Sequence, residues 1–124
     1  MRLKFLDLKY QNKKIEKKIF TSIKKNIENS SFIGGKDLSE FQKEFANFLN
    51  IKFCLGVANG TDALEIAIKA LNLKKNSEII VPANTWISTA EAVLNNKLKV
   101  RFVDVDETHN ICLEDLKKKI NNPS

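Results

Sequence analysis

The sequence predicts an α/β protein of three-layer αβα architecture, headed by two amphipathic helices. Short β-type runs, "FCLGVA" at 53–58, "EIIVP" at 78–82 and "KVRFVDV" at 99–105, alternate with helix-period segments at 63–71 and 88–94. That βαβαβ order calls for parallel strands joined by helical crossovers. The composition agrees: 43% hydrophobic and 29% charged residues over 124 positions supply a core and exclude wholesale disorder.

The elements follow in order. From 10 to 28 the residues Ile15, Ile19, Ile23 and Ile27 recur every fourth position beside Phe20, with lysines on the other face, which is one stripe of an amphipathic helix. The stripe stops at "NSSFIGGKD", where Gly34-Gly35 is expected to break the helix. Leu38, Phe41, Phe45, Phe48 and Leu49 mark a second helix ending near Asn50. After the alternating segments, "LEDLKKKI" at 113–120 reads as a last helix. The chain thus divides into 1–36, a helix with its Gly-Gly loop, and 37–124, the α/β part.

Several function classes are set aside on composition. The start "MRLKFLDLKY" has no apolar export core, and no run approaches the roughly 18 apolar residues of a membrane span. A cytoplasmic protein with no membrane partner is expected. Cys54 and Cys112 suit a reducing compartment as small apolar fillers. His109 and Cys112 have a loosely ligand-like spacing, but too few further ligands accompany them, so no metal is expected. The net charge of +6 is mostly lysine, and Lys13, Lys14, Lys17, Lys18, Lys24 and Lys25 cluster on one helical segment. With no arginine cluster or interleaved aromatics, a solvated helix face is preferred to a nucleic-acid surface. The rival, a basic nucleic-acid-binding protein, would bind DNA with strong salt dependence.

Ligands in open α/β sheets sit beyond the carboxyl ends of the strands. Asn59-Gly60-Thr61 lies at such an end, in "VANGTDALEIAIKAL". Gly60 lets a phosphate approach the backbone, Thr61 can cap the following helix while offering a hydroxyl, and the first free N–H groups point outward at the positive end of the helix dipole. The plainer alternative is an ordinary strand-to-helix turn with a threonine cap. The next strand end, "VPANTWISTAEAV", sets Trp86 at the start of a helix on the same edge. It is either a core or interface residue or a platform for a flat heteroaromatic ring. Together the two elements suit a ligand with one phosphate and one ring.

Five segments, "FLDLK", "FIGG" with "FQKEFANFL", "GVANGTDALEIAIKAL", "EIIVPANTWISTAEAV" and "VRFVDVDETHNICLEDLKKKI", resemble in order and separation the opening third of the DegT/DnrJ/EryC1/StrS sugar aminotransferases. The resemblance implies the N-terminal portion of the large domain of a type I pyridoxal 5'-phosphate-dependent transferase fold, with 37–124 as the first, incomplete part of the cofactor domain. It implies transfer of an amino group from glutamate to a nucleotide diphosphate-linked keto-sugar by a homodimer. Gly60, Thr61 and Asp62 match the segment that holds the cofactor phosphate, and Trp86 matches the aromatic that stacks on the pyridine ring.

The resemblance also implies what is lacking. The carboxylate that pairs with the pyridine nitrogen and the Schiff-base lysine belong to family segments downstream of Ser124, and Lys36, Lys69 and Lys74 match neither. No residue here is assigned a catalytic role, and the chain alone is expected to be inactive. The alternative is an inactive truncated fragment or a partner-binding module of the same fold. In the family sheet of about seven strands the first two are separated by later ones, so exposed edges and apolar helix faces are expected.

Overall fold

The computed structural model describes residues 4–121. Its elements are α1 (Leu8–Glu28), α2 (Gly35–Phe48), α3 (Gly60–Ala70), β1 (Glu78–Pro82), α4 (Ser88–Asn95), β2 (Lys99–Val103) and α5 (Leu113–Asn121). They form two compact units, Met1–Gly56 and Val57–Ser124.

In the first unit, α1 starts where Asp7 Oδ1 accepts the Tyr10 N–H at 3.3 Å, a cap that satisfies a first-turn donor. Its end corrects the expected glycine break. Ser30 turns left-handed at φ 51°, Ser31 N–H donates to Asn26 O at 2.9 Å, and Ser30 N–H donates to Ile27 O at 3.1 Å. These are the paired bonds of a Schellman turn, so the helix closes on its own carbonyls before the glycines. Gly34, at φ 65° and ψ −136°, instead opens α2 in a conformation essentially closed to side chains with a Cβ. The apolar stripe of α1 stays outside, with Ile15, Ile19, Ile23 and Ile27 between 45% and 59% exposed. On α2, Phe41 and Phe45 stack at 5.5 Å, yet both remain exposed.

Residues 53–58 are not a strand, which corrects the first of the three β-type runs. A strand is defined by a bonded neighbour, and among the described residues the sheet consists of β1 and β2 alone. Gly56 N–H is instead tied to Gln42 Oε1 at 2.8 Å.

In the second unit β1 and β2 pair in parallel, Glu78 opposite Lys99 through Pro82 opposite Val103, with α4 as the crossover. Val81, Val93 and Leu98 form the buried cluster, joined by Ile68, Ile79 and Val100. Alternate strand residues face opposite sides. Accordingly Val100 joins the cluster under α4, whereas Arg101 Nη1 donates to Lys119 O of α5 at 2.7 Å. Helices therefore cover both faces of the sheet, and α3 packs against α4 with Ile68 reaching the buried cluster, giving the expected αβα layering.

The end of α4 carries a testable strain. Lys97 sits at φ 58° while Leu98 N–H reaches back to Val93 O at 3.3 Å. A side chain with a Cβ pays about 1 kcal/mol or more in this left-handed region, and glycine avoids it. Lys97→Gly is expected to raise the unfolding free energy by up to about 1 kcal/mol, read as a higher denaturant midpoint with unchanged slope. A lower midpoint would show that the lysine contributes more than its backbone costs.

Candidate functional site

The amino end of α3 is built by Asn59. Its backbone is extended at φ −161° and ψ 177°, and its Oδ1 accepts the Asp62 N–H at 2.9 Å. Its Nδ2 donates to Asp62 Oδ2 at 3.1 Å, and its carbonyl accepts the Ala63 N–H at 3.1 Å. Asn59 is therefore the cap, which corrects the expected capping role of Thr61. Thr61 lies inside the first turn, half-buried, and neither its hydroxyl nor its N–H takes a partner among the described residues. The Gly60 N–H is likewise unengaged among them, and a Cβ built on Gly60 would meet nothing within 4 Å. Open donors beside open space suit an incoming anion. The sequence reading placed Asn59 at the strand end without giving it a role, although Asn59-x-x-Asp62 has the spacing of a reciprocal cap.

At the carboxyl end of β1 the Ala83 N–H donates to Val103 O at 2.8 Å, after which the chain leaves the sheet. Trp86 follows; its carbonyl accepts the Thr89 N–H at 3.0 Å, which fixes it at the entry to α4 as expected. The indole is 77% exposed, so Trp86 is not part of this chain's core. Beside it the Thr85 and Thr89 hydroxyls lie 3.1 Å apart.

Side-chain bonds between α3 and α4 show that these two entries share an edge. Midway along α3, Glu65 binds Asn95 and Asn96 at the far end of α4, and further along Ile68 packs with Leu98 just beyond α4. The helices thus run in the same direction. Their amino ends, carrying Gly60-Thr61 and Trp86, project to the carboxyl side of the sheet. A hollow of about 300 Å³ between Lys69, Asn72, Asn96 and Lys97 lies at the opposite ends of the helices and takes no part in this arrangement.

The His109–Cys112 pair proves to be a tight turn. The Thr108 hydroxyl at 2.6 Å, then the Thr108 N–H at 2.8 Å and the Asn110 N–H at 3.2 Å, bind Asp106 Oδ1. These bonds hold the Asp106 carboxyl below the usual aspartate range, the Thr108 hydroxyl foremost. Among the described residues no three His, Cys, Asp or Glu side chains are grouped as a metal site.

The arrangement is that of an α/β protein with open backbone donors and an exposed aromatic along one sheet edge. The chain belongs to the DegT/DnrJ/EryC1/StrS aminotransferase family, whose model matches residues 13–124. It is 36% identical over 110 residues to the UDP-2-acetamido-2-deoxy-3-oxo-D-glucuronate aminotransferase of Pseudomonas aeruginosa, covering 88% of this chain and 31% of that protein. A DegT DnrJ EryC1 StrS aminotransferase from Brucella abortus has a TM-score of 0.86 and 31% identity, over 94% of this chain and 31% of that one. Escherichia coli GDP-4-keto-6-deoxy-D-mannose-3-dehydratase, solved with bound hydrated PLP, has a TM-score of 0.75 and 33% identity, over 80% of this chain and 27% of that one. The chain spans about a third of the length of these relatives.

Proposed function

We propose that this chain is the N-terminal, phosphate-holding part of a pyridoxal phosphate-dependent aminotransferase acting on a nucleotide diphosphate-linked keto-sugar, with glutamate as the amino donor. One observation carries the reading: the unengaged Gly60 and Thr61 donors share a sheet edge with the exposed Trp86. The phosphate would take the Gly60 and Thr61 N–H groups and the Thr61 hydroxyl, with Asp62 in the same turn, while the Trp86 indole would cover one ring face. When bound, the cofactor supplies the electrophilic carbon and electron-withdrawing ring that amino transfer needs. The residues of this chain bind and orient it, and residues 37–124 belong to its domain. The reading includes a cytoplasmic homodimer; among the described residues no helix is long and apolar enough to cross a membrane.

The test is cofactor titration of an apo full-length form. Trp86 emission is expected to be quenched as pyridoxal phosphate binds, and Trp86→Ala to weaken binding about two- to tenfold, the range of an aromatic stacking contact. Trp86 emission indifferent to added pyridoxal phosphate, together with unchanged affinity in Trp86→Ala, would place the ring elsewhere. A second reading, an inactive module that binds a partner, draws on the apolar faces that α1 and α2 leave exposed, among them Ile15, Ile19, Phe41 and Phe45.

A further inference from the structure

We propose that Asn59 is a positioning residue for the cofactor phosphate, a role that rests on reading Gly60-Thr61 as the phosphate seat. An asparagine side chain carries both an acceptor and donors, and here both are used on the same residue: Oδ1 takes the Asp62 N–H at 2.9 Å and Nδ2 holds Asp62 Oδ2 at 3.1 Å. The first bond takes the Asp62 N–H, and the Asn59 carbonyl takes that of Ala63, so the donors of this turn left open to an anion are those of Gly60 and Thr61. The second bond restrains the Asp62 carboxylate, a negative charge within the same helical turn as the incoming phosphate. A carboxylate free to swing toward a phosphate dianion would repel it across a short distance.

This explains asparagine specifically at position 59. Serine, aspartate and asparagine cap helices about equally well. Serine would take the Asp62 N–H but has no amide to hold the carboxylate. Aspartate would take the same N–H while setting a second negative charge against both Asp62 and the phosphate. The three residues are therefore alike for the helix and unlike for the ligand.

The experiment uses a full-length form of the protein with Asn59, Asn59→Ser or Asn59→Asp, and pyridoxamine phosphate as probe, since that molecule has no aldehyde to react with stray lysines. Affinity is read by calorimetric titration of the apo-protein across pH 5 to 8, and stability by thermal unfolding without ligand. Near-equal unfolding midpoints are expected. Binding at neutral pH should be about three- to tenfold weaker in Asn59→Ser and at least about tenfold weaker in Asn59→Asp, losses equivalent to about 0.6 to 1.4 kcal/mol and to at least about 1.4 kcal/mol. The ratio of dissociation constants between Asn59→Asp and Asn59 should narrow toward pH 5, as the phosphate takes up a proton and passes from dianion to monoanion. Wild-type affinity in Asn59→Asp, or affinity losses that merely follow the unfolding midpoints, would overturn the positioning role while leaving the phosphate seat intact. Absence of saturable binding by the Asn59 protein would overturn the seat and this role together.

Discussion

Thr61→Ala in a full-length form is expected to lower affinity for pyridoxal phosphate about ten- to a hundredfold. A hydroxyl donated to a charged acceptor contributes roughly 1.5 to 3 kcal/mol, and the Thr61 hydroxyl has no partner among the described residues that would compete for it. Capping does not confound the test. Asn59 supplies the cap, and alanine is a good helix former inside a first turn, so the unfolding midpoint should hold or rise slightly. Apo-protein titration with parallel thermal unfolding separates the outcomes: lost affinity at constant stability supports the seat, whereas unchanged affinity removes Thr61 from it.

That separation was not legible in the sequence, and the reason is physical. Asn59 and Thr61 are both cap-competent residue types two positions apart, and only the extended backbone at Asn59 decides between them. Periodicity located each of the helices among the described residues to within a few positions, because each carries a consistent apolar spacing. It also found β1 and β2, which pair in parallel as expected, although the β2 run was read to 105 and its strand ends at Val103. It failed at 53–58, where a β-type run has no bonded neighbour among the described residues. Helix ends were the other failure. Ser30, Asn50, Asn72 and Lys97 all adopt positive φ just past a helix, a conformation the sequence announces clearly only when glycine occupies it. Trp86 was legible as an edge residue, since proline-terminated strands release the chain at the carboxyl side of the sheet; its exposure depends on which neighbours pack over it and was not.

The largest effect is expected from the 124-residue chain itself: no aminotransferase turnover with glutamate and a nucleotide-linked keto-sugar. Amino transfer needs a protein amine that exchanges with the substrate amine at the cofactor carbon, and a base held over the ring to move the proton. In families of this kind one lysine does both. The structure places several lysines of the second unit away from the proposed seat. Lys69 is nine residues beyond Gly60 on α3, about 13 Å along the helix axis. Lys74 precedes the amino end of β1, and Lys97 and Lys99 follow α4 and open β2, so all three lie toward the opposite edge of the sheet. In the first unit Lys36 is exposed and paired with Glu40 at 3.5 Å. Exposed lysines still react with free pyridoxal phosphate, so colour alone decides nothing. Borohydride reduction fixes the carbon–nitrogen bond wherever it forms, and peptide mapping then locates it. Substoichiometric labelling scattered over many lysines, with no turnover, is the expected result. Stoichiometric labelling of one lysine together with turnover would mean that an amine in this chain reaches the cofactor carbon, and would require the Gly60–Trp86 edge to be replaced by a seat near that lysine.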